Sequence, residues 1–216
     1  MGVPLRHGRE PDAPHGGLQA GDGLNEGSET RPPDADGERL ASRRAWKGRL
    51  LTVDVDRIRA PNGRELELEM IRHPGAAAIV PLLSDPHADE PFVLLIRQYR
   101  YAAGGFIWEV PAGVLDPGEE PATCARRELR EETGAEADRL EYLTTIFTTP
   151  GFTDERIHLF LATGIRPGRA APNDDEVIRT EAVPMRRALE MIRDGEIVDG
   201  KTVIALLYVA GYRLNT

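Results

Sequence analysis

The chain has 216 residues, of which 40% are hydrophobic, and this is enough apolar material for one domain with a substantial core and an appendage. Its net charge of −9 excludes the strongly basic surface that binding to nucleic acid or to an anionic membrane requires, so we expect neither partner. The single cysteine, Cys124, excludes an intramolecular disulfide, and together with the lack of a signal-peptide or membrane-span pattern it indicates a reducing cytoplasm.

The first 42 residues differ in composition from the rest of the chain. They are rich in proline, glycine and acidic residues and show no apolar periodicity. A regulatory or docking arm is the alternative to a passive tail, but the segment contains no motif that favours it. We therefore predict a disordered tail over residues 1–42 and one folded domain over residues 43–216.

Short β-rich runs separated by turn residues begin after Trp46 and predict strands. The runs cover residues 50–58, 64–71, 76–83, 92–99, 140–148 and 155–163. Strict alternation over 64–71 leaves one face polar and places that strand at an edge or a surface. The runs 76–83 and 92–99 are apolar enough to be buried on both faces.

Three helices are predicted between and after these strands. The first spans Pro121–Thr133, with Pro121 in its first turn and Gly134 as C-cap. Amphipathic or apolar helical patterns follow over residues 184–195 and 201–214. Strands and helices mixed without regular βαβ alternation favour an α+β fold rather than a doubly wound one.

The segment from Gly113 to Ala135 carries the chemistry. On the predicted helix, Glu128 lies three and four residues before Glu131 and Glu132, so the three carboxylates project from one side. Like charges so placed repel each other by roughly a few tenths of a kcal/mol per pair, and a divalent cation would neutralise them. Carboxylate oxygens suit Mg²⁺ or Mn²⁺ rather than Zn²⁺.

Arg127 and Glu119 are the predicted supports of this cluster. The Arg127 guanidinium is placed to hold the carboxylates in position, so we include it among the catalytic residues, and Glu119 can pair with it from the preceding loop. Gly113 and Gly118 allow that loop to turn tightly against the helix start. The alternative is a solvated acidic helix, since charged runs usually face water.

This segment resembles the Nudix box at every charged and glycine position, with Ala135 where that family prefers a larger aliphatic residue. The resemblance implies an α/β/α sandwich around a mixed sheet, preceded by a small antiparallel N-terminal sheet. It also implies that Glu128 and Glu132 bind metal directly, that Glu131 assists them, and that the backbone carbonyl of Ala112 completes the metal shell.

Two features outside the box resemble the ADP-ribose pyrophosphatase branch of that family. Arg100 and Glu109 match positions at which the branch has substrate-facing residues, although an arginine at this place is also compatible with an ordinary surface. Pro150 stands sixteen residues beyond Gly134, a spacing typical of the branch, and Glu155 nearby offers an acceptor for ribose hydroxyls. Pro-Gly is, however, also a common plain turn.

An acidic loop over residues 173–178 is a third such feature. In the branch, a carboxylate from this loop activates water or joins the metal shell, and Glu176 or Asp174 fits that place; a plain acidic loop is the alternative. Early strands in the branch often pair with a second subunit and complete the adenine site, which implies a homodimer. Trp46 could stack on adenine or could pack at the start of the domain.

The resemblance thus implies Mg²⁺-dependent hydrolysis of the pyrophosphate bond of ADP-ribose, a small nucleoside diphosphate derivative, to AMP and ribose 5-phosphate. The general base stays open among Glu131, Asp174, Asp175 and Glu176. The alternatives are hydrolysis of another such derivative, for example a nucleotide sugar or NADH, and a nucleotide-sensing module without catalysis. Sensing modules have commonly lost box carboxylates, and none is missing here.

Overall fold

The computed structural model describes residues 36–86, 88–168 and 177–214. Its strands are β1 (Glu38–Lys47), β2 (Thr52–Arg59), β3 (Glu65–Arg72), β4 (Ala76–Pro81), β5 (Phe92–Arg100), β6 (Gly105–Glu109), β7 (Ala112–Val114), β8 (Glu136–Phe147), β9 (Arg156–Arg166) and β10 (Ile178–Pro184). Its helices are α1 (Pro121–Thr133), α2 (Met185–Arg193) and α3 (Gly200–Tyr212), and a short 3-10 turn covers Tyr101–Ala103.

The strands form three sheets. The first is the antiparallel sheet β1-β2-β3 at the N-terminal side, and the second is the antiparallel sheet β10-β5-β6. The third, in the order β7-β4-β9-β8, is mixed because β4 runs parallel to β9 and antiparallel to β7. The predicted α+β class, the mixed sheet and the small N-terminal sheet are therefore confirmed.

Strand β4 is the centre of the core, and each of its residues is buried. Successive side chains of a strand point to opposite faces, so β4 serves two apolar clusters at once. Ala78 and Val80 pack into the cluster that contains residues of α2 and α3. Ala77 and Ile79 pack with Cys124, Ala125 and Leu129 of α1. Helices therefore cover both faces of the mixed sheet, as a sandwich requires.

Helix α1 begins and ends at the predicted residues. Pro121 occupies the first turn, and Gly134 closes the helix with a φ of 72°, a left-handed conformation in which glycine carries no side-chain penalty. Strand β3 lies at the edge of its sheet, as the alternating pattern predicted. Across the described segments, no helix combines the length and the apolar character needed to span a bilayer.

Three expectations about the strands need correction. Residues 38–42 belong to β1 and not to a tail, because their backbone pairs with β2; their side chains are largely exposed, which hid the strand from apolar periodicity. Residues 1–35 lie outside the described residues. Strand β5 is buried on both faces only in its first half, where α2 packs on it, and Tyr99 is exposed. Strands β6, β7 and β10 were not predicted.

Two neighbouring leucines of α3 allow the core to be tested with one substitution. Leu206 is fully buried in the cluster below β4, whereas Leu207 is 51% exposed. We expect Leu206→Ala to lower the free energy of unfolding by about 2–5 kcal/mol, because it removes buried methyl groups and leaves a cavity. Leu207→Ala should cost less than about 1 kcal/mol. Urea denaturation measures both, and equal losses would contradict the assigned helix face.

Candidate functional site

A cleft of about 870 Å³ opens where the mixed sheet, α1 and the start of α3 meet. One part of its wall consists of Ala112, Gly113 and Glu128. A second part is charged and consists of Arg100, Asp199 and Lys201. A third part is formed at the β8–β9 end and consists of Phe147, Thr148 and Glu155. The cleft thus brings the carboxylate helix and the side chain of Arg100 to one place.

Two carboxylates of α1 lie against the backbone of β7. Glu128 and Glu132 are four residues apart on the helix and are 7% and 2% exposed. Glu132 Oε2 accepts a hydrogen bond from the Ala112 N–H at 3.0 Å. A Cβ atom on Gly113 would overlap the carboxylate of Glu128. Gly113 is therefore required for the space that it leaves beside Glu128, rather than for the tight turn that the sequence suggested.

Arg127 holds the loop, the helix and β7 together. Its Nε and one terminal nitrogen donate to the two oxygens of Glu119 at 3.0 and 2.8 Å, so the predicted pairing is present. The same side chain donates to Glu128 at 2.5 Å, to Glu131 at 3.2 Å and to the Val114 carbonyl at 3.1 Å. The hydrogen bond from Arg127 lowers the pKa of Glu119 to about 2, which keeps this carboxylate ionised.

The three carboxylates of α1 do not form one ready-made cage. Within the described residues, no three His, Cys, Asp or Glu side chains are gathered closely enough to hold a metal ion. Glu131 accepts a hydrogen bond from Arg127, whereas Glu132 accepts one from the Ala112 N–H. This differs from the expected cluster of three, and the physical reason is that like charges each take a cationic or N–H partner.

The donors nevertheless fit a hard divalent cation. Glu128 and Glu132 present carboxylate oxygens beside the Ala112 backbone, and the missing Cβ of Gly113 leaves room for the Glu128 carboxylate. Mg²⁺ and Mn²⁺ prefer oxygen ligands of this kind. The residues that could hold a cation are therefore Glu128, Glu132 and the carbonyl of Ala112.

Glu109 does not face the cleft as expected. It is 1% exposed, and its two oxygens accept hydrogen bonds from Arg100 at 2.7 and 2.9 Å. It also accepts a hydrogen bond from Lys201, which in turn donates to Asp199 at 3.0 Å. Burial by itself would raise the pKa of Glu109, but Arg100 and Lys201 hold it below its usual value. Arg100 lines the cleft, whereas Glu109 lies behind it.

Lys201 and Asp199 are functional candidates that the sequence reasoning missed. Asp199 is the N-cap of α3 and accepts a hydrogen bond from the Thr202 N–H at 3.0 Å. The run from Asp199 to Thr202, at the start of an apolar helix, is a capping pattern that can be recognised in a sequence. What the pattern does not reveal is the carboxylate that Lys201 meets on a distant strand.

Of the remaining expected site residues, the structure describes Glu155 and Trp46, and only Glu155 lines the cleft. Glu155 lines the cleft and accepts a hydrogen bond from the Thr148 hydroxyl at 2.9 Å. Trp46 is 56% exposed on β1, with its ring over Gly48, so it neither packs in the core nor lines the cleft of this chain. Asp174 and Glu176 lie outside the described residues.

Comparison with known proteins gives a consistent result. The NUDIX domain family model matches residues 72–205. A methanol dehydrogenase activator of Bacillus methanolicus is 37% identical over 79% of this chain and 90% of its own length. An ADP-ribose pyrophosphatase of Bacillus subtilis (strain 168) is 34% identical over the same shares. A crystal structure of an ADP compounds hydrolase shares the fold, with a TM-score of 0.70, 23% identity and coverage of 82% of this chain and 94% of that chain.

Gly113 offers a test of the carboxylate geometry. We expect Gly113→Ala to displace the Glu128 carboxylate, which is the flexible end of its side chain, while the free energy of unfolding falls by less than about 1 kcal/mol. Mn²⁺ affinity, measured by electron paramagnetic resonance, should fall about tenfold or more. Gly105→Ala is the matched control, because a Cβ there meets nothing within 4 Å. Equal Mn²⁺ affinities in the two variants would show that Glu128 does not bind the cation.

Proposed function

The chain belongs to the Nudix family, and on this premise we propose that it hydrolyses the pyrophosphate bond of ADP-ribose with bound Mg²⁺ or Mn²⁺. The products would be AMP and ribose 5-phosphate. The observation that carries this proposal is that one cleft is lined by Glu128, by the residues of β7, and by Arg100 and Lys201. Such a cleft joins oxygen ligands for a cation to positive groups for a diphosphate.

ADP-ribose is the favoured substrate for two reasons. The relative from Bacillus subtilis that carries this substrate in its name aligns with most of both chains. The turn after β8 also places Glu155 in the cleft, where its carboxylate can accept hydrogen bonds from ribose hydroxyls. Asp154 fixes this turn by accepting hydrogen bonds from the His73 N–H at 2.9 Å and from Arg72 at 3.1 Å.

The carboxylate helix would provide the metal site. Glu128, Glu132 and the Ala112 carbonyl would hold the cation, and Glu131 would assist them. Bound Mg²⁺ would supply neutralisation of phosphate charge and a water of lowered pKa. Arg127 keeps Glu128 in place and ties it to the loop through Glu119. Glu131 is the general base candidate within the described residues, and Asp174, Asp175 and Glu176 are the candidates outside them.

We further propose that the enzyme is a cytoplasmic homodimer. The N-terminal sheet exposes Trp46 near the end of β1, and Arg49 and Leu50 in the connection between β1 and β2 line the cleft. A second subunit that covers this sheet would enclose the cleft and could place Trp46 against the adenine base of the substrate. The one cysteine, Cys124, is buried and free, which is compatible with a reducing compartment.

Two other functions stay less favoured. Hydrolysis of a nucleotide sugar or of NADH would use the same carboxylates, so only contacts beyond the metal site separate these substrates from ADP-ribose. Nucleotide sensing without hydrolysis is disfavoured because Glu128, Glu131 and Glu132 are all present.

A substrate panel tests the proposed specificity. Purified enzyme with Mg²⁺ should release AMP from ADP-ribose with a kcat/KM at least about tenfold above those for GDP-mannose and NADH, because base and ribose contacts add to the shared diphosphate contacts. Chromatography of the nucleotide products measures each rate. A preference for GDP-mannose or NADH would contradict the assignment of ADP-ribose as the substrate. It would leave the proposed metal ligands unaffected.

Glu132→Gln tests the metal assignment itself. We expect kcat/KM for ADP-ribose to fall by at least about a hundredfold, because an amide is a much weaker metal ligand than a carboxylate. The amide oxygen can still accept the Ala112 N–H, so circular dichroism should show an intact fold. Glu136→Gln, at an exposed position of β8, is the control and should keep full activity. Near-normal turnover by Glu132→Gln would refute the proposal that Glu132 of α1 is a metal ligand.

A further inference from the structure

The buried carboxylate of Glu109 lies directly behind two cations of the cleft wall. We propose that Glu109 is a positioning residue that holds Arg100 and Lys201 side by side as one receptor for the anionic charge of the substrate. This inference rests on the proposed function, since it concerns a diphosphate bound in the same cleft. It assigns Glu109 a role through its two partners and no contact with substrate.

Glu109 and the two cations that it holds differ in their access to the cleft. Glu109 is 1% exposed and is absent from the cleft wall, whereas Arg100 and Lys201 both line it. Arg100 reaches Glu109 from the end of β5 with two hydrogen bonds, at 2.7 and 2.9 Å. Lys201 reaches the same carboxylate from the first turn of α3. One buried carboxylate therefore fixes two cations that come from distant parts of the chain.

Both cations keep hydrogens for a ligand. A guanidinium has about five N–H donors and an ammonium about three. Arg100 uses two nitrogens on Glu109, and Lys201 donates to Glu109 and to Asp199. The remaining N–H groups belong to side chains that line the cleft, where phosphate oxygens can accept them.

The first turn of α3 is itself fixed to the strand that carries Glu109. Asp199 caps the helix and accepts hydrogen bonds from the Thr202 N–H at 3.0 Å and from the Thr202 hydroxyl at 2.6 Å. The Thr202 hydroxyl oxygen accepts a hydrogen bond from the Val110 N–H at 2.9 Å, directly after β6. Thr202 is fully buried. The backbone of Lys201 is thereby held next to the strand that carries Glu109, and its ammonium donates to Glu109 and Asp199.

The sign of the effect of Glu109→Gln distinguishes positioning from simple electrostatics. If only Coulomb forces acted, removal of a negative charge next to the cleft would remove a repulsion and would tighten the binding of an anion. If Glu109 acts by holding Arg100 and Lys201 in place, the same substitution should weaken that binding, because the two side chains regain rotamer freedom and spread apart. The two mechanisms therefore give opposite results.

The experiment is isothermal titration calorimetry of the full chain with inorganic pyrophosphate in EDTA, with adenosine as a neutral probe. We expect Glu109→Gln to weaken pyrophosphate binding about tenfold, because two side chains regain rotamer freedom, and to leave adenosine binding unchanged. In turnover with ADP-ribose and Mg²⁺, KM should rise by a larger factor than kcat falls. Glu196→Gln is the control, since it removes the same charge from an exposed ion pair with Arg187 and should leave both affinities unchanged.

Pyrophosphate binding by Glu109→Gln that equals or exceeds that of the unchanged protein would overturn the proposal. If this variant does not fold, Glu109→Asp provides the test, because it keeps the negative charge and shortens the side chain that reaches Arg100 and Lys201. A pyrophosphate affinity that is about tenfold weaker in Glu109→Asp supports the positioning role, and an unchanged affinity overturns it. Pyrophosphate carries no base or sugar, so a failure of the ADP-ribose assignment would appear in the unchanged protein and not in these comparisons.

Discussion

The contact between the carboxylates of α1 and the backbone of β7 is the constraint on which the candidate site depends. Glu132 accepts the Ala112 N–H, and Glu128 lies where any side chain at position 113 would stand. Buried carboxylates are costly unless hydrogen bonds or cations compensate them. The helix and the strand therefore have to meet at this one place, and the rest of the cleft is arranged around it.

Ion pairs extend this arrangement outward from α1. Arg127 connects the helix to the preceding loop through Glu119, and Glu109 connects β5 to α3 through Arg100 and Lys201. Arg72 does the same for the N-terminal sheet, since it contacts Asp56 of β2 and Asp154 in the turn before β9. The pairs of Glu109 with Lys201 and of Arg72 with Asp154 join elements that are distant in sequence, whereas Arg127 and Glu119 are neighbours along the chain. The charges therefore fix the arrangement of the elements around the site as well as its potential.

The sequence alone determined the parts of this protein that depend on local spacing. The bounds of α1, its C-cap at Gly134 and the pairing of Arg127 with Glu119 follow from residues at most a few turns apart. The main apolar strands and the two later helices were also recognised, because periodicity reports which face is buried. Strand β1 escaped because its side chains are exposed, and its pairing with β2 uses backbone groups that have no residue pattern.

Only the tertiary structure decided which charged residues face the cleft. Arg100 and Glu109 were indistinguishable as site candidates in the sequence, yet one lines the cleft and the other is buried behind it. Lys201 was overlooked because its partner lies on β6, ninety-two residues away along the chain. Burial and long-range ion pairing depend on how sheets and helices pack, whereas spacing within one helix is fixed by its own geometry. For that physical reason the sequence identified the helix that carries the three carboxylates, and the fold identified Arg100 and Lys201 in the same cleft.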